Sequence, residues 1–142
     1  MRMHLAALFL FALAGCASTG AVAQNRACIC TDSTWRTSWT TPDGAGPGGY
    51  APLTIHVVTP SGEFEGTWGD PVAGEVWGNI VGPDNSTIVG QWGTRRETGA
   101  DGAFLLQISP PLPDHPESCS FEGVYTGSAG QSPLSWIGDR VE

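Results

Sequence analysis

Hydrophobic and polar residues alternate along most of the chain after residue 30, and this alternation predicts β-strands. Eight short stretches carry apolar side chains at every second position and are separated by the turn residues Gly, Pro, Asn and Asp. The predicted strands span residues 33–40, 52–59, 62–69, 74–82, 86–93, 102–109, 119–126 and 133–141. None of these stretches has a helical period, so we expect an all-β fold made of an antiparallel meander of seven or eight short strands.

A meander of this size has to protect its two edge strands from pairing with other molecules. Closure into a small up-and-down barrel is the arrangement that we expect, and a β-sandwich is the alternative. The 20 Gly and 11 Pro residues fit this prediction, because both residue types favour turns over helices. A chain of 142 residues is long enough for one domain.

The first residues of the chain are typical of an export signal. Arg2 precedes an apolar stretch of about nine residues at positions 5–13, which is the pattern of a signal-peptide helix. A membrane-spanning helix needs roughly 20 apolar residues, so this stretch is too short to be one. We therefore expect the protein to be exported.

The end of this stretch, Leu13-Ala14-Gly15-Cys16, resembles the lipobox of bacterial lipoprotein precursors. The resemblance implies a signal peptide of residues 1–15 and a Cys16 that carries a diacylglyceryl group with fatty acids such as palmitate. It therefore implies that the membrane is a partner and that the protein is lipid-anchored on the cell envelope. Ala17 favours the outer membrane in a Gram-negative cell, because the aspartate that retains many lipoproteins at the inner membrane is missing.

A second cleavage site leaves an alternative open. Ala21-Val22-Ala23 has the small residues of an ordinary secretory site, and cleavage after 23 would release a secreted or periplasmic soluble protein. Residues 16–27 are small and polar and are expected to form a tether, and residues 28–142 are expected to form a single β domain.

Three cysteines remain beyond Cys16, and an exported protein reaches an oxidising compartment. We expect a disulfide between Cys30 and Cys119, with Cys28 as the alternative to Cys30, because alternation places these two on the same face of an extended segment. The remaining thiol would be either buried or reactive. A metal site is not expected, because zinc sites usually combine two ligand pairs and only Cys119 follows the first pair.

The chain carries 14 acidic and 6 basic residues, for a formal net charge of −8. This charge repels phosphate backbones, so we do not expect nucleic-acid binding. The sequence has no motif for an activated nucleophile, a zinc hydrolase or a phosphate loop, and we expect neither an enzyme nor a cofactor. A less favoured alternative is a carboxylate-based hydrolase that pairs two of the acids Glu65, Asp70, Glu75 and Glu122.

Six tryptophans and a repeated hairpin sequence are the most distinctive features of the chain. Phe64-Glu65-Gly66-Thr67-Trp68 recurs as Phe121-Glu122-Gly123-Val124-Tyr125, and alternation places the two rings and the Gly of each copy on one face. We interpret this face as core, where Gly makes room for neighbouring rings. An aromatic platform for sugars or a small apolar ligand is the alternative. Arg95 or Arg96 is expected to cover Trp92, and Arg140 to cover Trp136.

One segment resembles a known family. Leu53-Thr54-Ile55, followed by Gly62-Glu63-Phe64-Glu65-Gly66-Thr67-Trp68, is similar to the second and third strands of avidin-type biotin-binding barrels. The resemblance implies a barrel. The chain has Trp68 where that family has a ring tyrosine, and it has no clear match for the Asn and Ser that hold the ureido group, so biotin binding is not implied.

These features together predict a non-enzymatic binding or interaction module exposed on the envelope. Small barrels commonly bind ligands at one end, and we expect loops 41–51 and 110–118 to form that end. The residues expected to contact the ligand are Trp39, Tyr50, Trp77 and His115. The ligand would be a carbohydrate, a small apolar molecule or an envelope protein. The alternative is a structural or inhibitory lipoprotein that binds another protein.

Overall fold

A computed structural model of the chain describes residues 28–40, 47–109, 114, 118–127 and 132–141. The strands are β1 (Ser33–Thr40), β2 (Pro47–Val58), β3 (Glu63–Trp68), β4 (Gly74–Val81), β5 (Thr87–Gly93), β6 (Gly102–Ser109), β7 (Ser120–Thr126) and β8 (Leu134–Arg140). A short 3-10 turn at Arg96–Thr98 lies between β5 and β6. Across these described ranges, no helix is long and apolar enough to cross a membrane. The predicted signal peptide, with its helix, and the whole predicted tether of residues 16–27 lie outside them.

The eight strands form one closed barrel in which each strand pairs antiparallel with its neighbours in sequence. Pairing of β1 with β8 closes the barrel, with Thr37 opposite Gly138 in the register. The all-β meander and its closure into an up-and-down barrel are therefore confirmed, and the sandwich alternative is wrong. Closure satisfies both edges of the sheet, since no strand is left with an unpaired row of backbone groups.

The two ends of the barrel differ, and the connections alternate between them because consecutive strands run in opposite directions. The connections β1–β2, β3–β4, β5–β6 and β7–β8 meet at one end, which we call the open end. The connections β2–β3, β4–β5 and β6–β7 meet at the other, which we call the plugged end. The chain enters β1 and leaves β8 at the plugged end.

The odd-numbered strands repeat one pattern on their inward face: a bulky core residue, a small residue and then an aromatic ring at the open end. Trp35, Phe64, Ile88 and Phe121 are buried in the barrel, with exposures between 0% and 4%. Two positions later on each strand is a small residue: Thr37, Gly66, Gly90 and Gly123. Two positions after that is an aromatic ring: Trp39, Trp68, Trp92 and Tyr125. Alternation of side chains along each strand thus builds a packed core below and a layer of rings above.

Residues 28–32 fill the plugged end. Cys28 and Ile29 are almost fully buried, and a disulfide joins Cys28 to Cys119 with a Cα–Cα distance of 5.5 Å. The bridge is therefore the alternative that the sequence left open, and the expected pairing of Cys30 with Cys119 is wrong. Cys30 is itself disulfide-bonded, and none of the described cysteines carries a free thiol.

The local backbone explains why Cys28 is the partner. The segment turns before β1, because Asp32 has a φ of 62° and the backbone N–H and hydroxyl of Ser33 both donate to the Cys30 carbonyl. Cys28 has a helical backbone and Ile29 lies in a bend, so Cys28 and Cys30 do not share one face of an extended strand, contrary to the prediction from alternation. Only Cys28 lies in the buried core beside Cys119.

Strand β2 differs from the prediction in two ways. It begins at Pro47, so residues 47–51 belong to the sheet and not to a loop, and Thr40 pairs with Pro47. Its register against β3 shifts between Ile55 and Val57. This bulge turns Val57 outward, where it is 47% exposed, although simple alternation places it inside.

Candidate functional site

Five aromatic side chains surround a cavity at the open end of the barrel. They are Trp39, Trp68, Trp92, Tyr125 and Trp136, and together with Thr37 they line a volume of about 170 Å³. We call this site the aromatic cup. Thr37 lies two residues deeper in β1 than Trp39, and among the described residues no charged side chain lines the cavity.

The rings of the aromatic cup support one another edge to face. Four successive contacts have centroids 6.2 to 6.4 Å apart and interplanar angles between 73° and 84°. They join the rings in the order Trp39, Trp68, Trp92, Tyr125 and Trp136. Trp39 and Trp136 are direct partners in the β1–β8 ladder, which brings the two ends of this series together. Edge-to-face pairs contribute about 0.5–1.5 kcal/mol each beyond burial, so the rings hold their positions without a ligand.

Glycines at the start of the even strands give the indoles their space. Gly74 is the register partner of Trp68, and a Cβ at Gly74 would lie 2.6 Å from the indole nitrogen. The N–H edge of Trp68 is thus packed against the barrel wall. The sequence predicted a small residue between the rings of one strand. The structure adds a second glycine, on the neighbouring strand, which leaves space for the indole.

Most hydrogen-bond donors of the aromatic cup are already used or sealed. The Trp92 indole donates to the Thr126 carbonyl at 2.9 Å, and the indole nitrogens of Trp68 and Trp136 are buried without a partner among the described residues. The hydroxyls of Thr37 and Tyr125 donate to the carbonyls of Ala51 and Thr40, at 2.9 and 2.8 Å. The aromatic cup therefore offers ring surface and hydroxyl lone pairs.

Burial raises the pKa of the Tyr125 phenol above its ordinary value of 10.0. The cause is desolvation, which disfavours the phenolate. The phenol is therefore uncharged at neutral pH.

The four residues that the sequence predicted as ligand contacts do not come together. Trp39 lines the aromatic cup, whereas Trp77 lies on the outer wall of β4. Tyr50 pairs with Ser38 through the backbone, and its side chain is outside the described part of the chain. His115 also lies outside it.

The two loops predicted to form one recognition surface follow strands that end at opposite ends of the barrel. The β1–β2 connection starts from Thr40 at the open end, and the β6–β7 connection starts from Ser109 at the plugged end. In a meander, two connections share an end only when an even number of strands separates them. The prediction that loops 41–51 and 110–118 act together is therefore wrong.

Trp77 is covered by the connection between β5 and β6. Its indole donates to Gln91 Oε1 at 3.0 Å, and the Arg96 guanidinium lies 5.9 Å from the centroid of the ring. Arg96 is held there by an ion pair with Glu65 and by its backbone N–H, which donates to Glu75. Arg96 thus covers Trp77 and not Trp92, since the loop folds back over the outer wall.

The carboxylates considered for a hydrolase lie away from the aromatic cup. Glu65 and Glu75 are on the outer wall and are both bound by Arg96. Asp70 and Glu122 are exposed, and neither lines the cavity. His56, on the same outer wall, shares a 2.8 Å hydrogen bond with Thr67. Within the described ranges, no group of three or more His, Cys, Asp or Glu residues is placed to hold a metal ion.

Four rings of the aromatic cup were not among the predicted ligand contacts, although the alternative of an aromatic platform included the first and third of them: Trp68, Trp92, Tyr125 and Trp136. The signal that identifies the first three is the recurrence of an aromatic ring four residues after a core residue, on the same strand face. Trp136 has the same parity as buried Gly138 and is 8% exposed, so alternation also assigns it to the interior.

No protein-family model matches the sequence, and no curated protein matches it significantly.

Proposed function

We propose that this protein is an exported, non-enzymatic binding module that holds a small molecule in the aromatic cup. The observation that carries the proposal is a cavity lined by aromatic rings at the open end of a barrel whose other end is plugged. Small barrels with one open mouth are a common type of ligand-binding site.

The size of the cavity supports a small ligand. Protein interiors pack without large voids, so a space of about 170 Å³ among large rings needs an explanation. An apolar cavity of roughly 150 Å³ is large enough to hold benzene. A ligand, or the part of a ligand that enters, is therefore expected to be about the size of one ring or one branched alkyl group.

Tryptophan fluorescence tests the proposal. We expect small hydrophobic or ring-containing compounds from a panel that also includes short glycans to shift or quench the emission of the protein. Trp39→Leu should weaken this binding because it removes one wall of the aromatic cup, whereas Trp77→Leu, on the outer wall, should not. If no compound changes the emission, or if both variants behave alike, the proposal is wrong.

The anchoring part of the proposal rests on the lipobox resemblance at residues 13–16. A lipid-anchored protein on the cell envelope would carry acyl chains at Cys16, and each buried methylene would contribute about 0.8 kcal/mol to membrane binding. Mass spectrometry should find the acylated mass in the wild type and lose it in Cys16→Ala. Cys28 is paired with Cys119, and Cys30 is also disulfide-bonded. A sulfur atom forms either a thioether or a disulfide, so a peptide map that links Cys16 to Cys30 would contradict lipidation.

A second candidate function, contact with an envelope protein, is favoured by one outer surface. Val89, Leu105 and Val124 are neighbours across β5, β6 and β7, and the last two are 51% and 42% exposed. Exposed apolar rows of this kind often mark protein contacts. A photo-crosslinker at position 105 should then capture a specific partner in cells, whereas one at Glu122 should not.

A further inference from the structure

We propose that the aromatic cup binds a quaternary ammonium group, such as the trimethylammonium head of choline. This inference rests on the proposed function, because it names the class of ligand that the same cavity takes. Three observations carry it: the spacing of the rings, the shortage of hydrogen-bond donors, and the charge of the chain.

The spacing of the rings suits a cation. Four successive contacts between rings of the aromatic cup have centroids 6.2 to 6.4 Å apart, and Trp39 is the ladder partner of Trp136, so the rings surround one space. Cation–π attraction acts within about 6 Å of a ring centroid. A compact cation in a cavity of about 170 Å³ lined by these rings is therefore within reach of several of them at once.

The N–H edges of two indoles, those of Trp68 and Trp92, lie at the barrel wall. Trp92 uses its N–H on the Thr126 carbonyl, and the indole nitrogen of Trp68 packs beside Gly74. The negative potential of an aromatic ring lies over its face, and the positive potential lies at its edge. Fixing these edges at the wall therefore favours a positive charge in the cavity.

The lining also disfavours the other common small ligands. A carboxylate, a phosphate or a sugar needs several donors. Among the indoles of the described lining, Trp92 has used its N–H and those of Trp68 and Trp136 are buried, which leaves only that of Trp39. The hydroxyls of Thr37 and Tyr125 have donated to backbone carbonyls and present lone pairs. A methylated ammonium group needs no donor, and its methyl groups suit an apolar wall.

The charge of the whole chain acts in the same direction. With 14 acidic and 6 basic residues, the protein attracts cations over distances longer than the cavity itself. A ligand with a permanent positive charge is therefore both drawn to the molecule and matched to the aromatic cup.

Calorimetry with choline chloride and its neutral isostere 3,3-dimethylbutan-1-ol tests the inference, with sodium chloride to match ionic strength. The two probes share shape and apolar surface and differ in charge. We expect choline to bind at least about fivefold more tightly, which is a moderate cation–π contribution. Equal or tighter binding of the isostere would overturn the inference and leave the proposed function standing.

Variants locate the binding. Trp39→Leu should weaken choline binding at least about fivefold and Trp39→Phe should weaken it less, because Phe keeps a ring face, whereas Trp77→Leu should have no effect. Thermal melts followed by circular dichroism show that each variant folds. If choline fails to bind while ring compounds from the panel do bind, the inference is wrong. If no compound binds at all, the proposed function is wrong as well.

Discussion

Gly102 lies directly opposite Trp92 in the β5–β6 ladder, and the indole crosses the space that a side chain on Gly102 would occupy. From there the indole N–H reaches the Thr126 carbonyl on β7. A Cβ at position 102 would collide with that carbonyl oxygen and would lie 2.5 Å from the indole nitrogen. One missing side chain therefore allows a ring on β5 to fasten three strands at the rim of the aromatic cup.

Gly102→Ala is expected to destabilise the protein by about 2–4 kcal/mol, because it adds overpacking to the loss of the Trp92 hydrogen bond. Urea unfolding followed by fluorescence measures the change. Gly82→Ala is the matched control, since its neighbours are at least 3.5 Å away and only its φ of 91° is unfavourable. A loss at position 102 no larger than that at position 82 would contradict the packing argument.

The Cys28–Cys119 bridge closes a loop with a sequence separation of 91. Its removal in a Cys28→Ala/Cys119→Ala double variant is expected to cost about 4–5 kcal/mol in the chain-entropy account of disulfides. Denaturant midpoints of the two proteins give the difference. Peptide mapping of the wild type checks the pairing, and a fragment that links Cys30 to Cys119 would show that the assignment is wrong.

Tyr125 makes the stability of the protein depend on pH in the alkaline range. The pKa of Tyr125 in the folded protein is raised above 10.0, its ordinary value in the unfolded chain. At a pH between these two pKa values, the unfolded chain has lost a proton that the folded protein keeps. The contribution of this group to the free energy of unfolding is therefore present in full below pH 10 and falls as the pH rises through the folded pKa. Wild type should therefore lose stability above pH 10 more steeply than Tyr125→Phe in thermal melts, and parallel curves would contradict this.

Arg96 is expected to stabilise the fold only weakly, because its side chain and that of Glu65 are 53% and 58% exposed. Arg96→Ala should cost about 1 kcal/mol or less, from a screened ion pair and an exposed cation–π contact. Arg96→Met keeps apolar cover over Trp77 and should recover part of the loss. Choline binding should be unchanged in both variants, and a clear change would connect the outer wall to the aromatic cup.

Much of the barrel was predictable because one face of every strand is buried. Alternation fixes the inward residues of β3 and β7, where Phe64 and Trp68, and likewise Phe121 and Tyr125, share a face as predicted. The Gly and Pro residues between strands mark the turns. The signal fails in β2, where the bulge between Ile55 and Val57 exchanges the two faces within one strand.

The site was less predictable because it depends on relations between strands. Trp77 was expected to contact a ligand, yet Arg96 covers its ring on the outer wall. The sequence had predicted that Arg95 or Arg96 covers Trp92. The use of Cys28 in the disulfide depends on the non-extended backbone at residues 28–29, which an alternating sequence pattern does not report. The end of the barrel at which each connection lies follows from the strand order. The sequence was therefore sufficient to predict that the connections after β1 and β6 start from opposite ends.

Both chain ends of the barrel lie at the plugged end, where the Arg140 backbone N–H donates to the Cys119 carbonyl. The start of β1 and the end of β8 therefore lie on the side of the barrel opposite the aromatic cup. A protein held to a bilayer through its N-terminal cysteine would rest with the disulfide side nearest the lipid and would turn its ring of indoles outward, toward molecules that diffuse past the surface. Fusion of a reporter at either terminus should then leave the mouth of the barrel unobstructed.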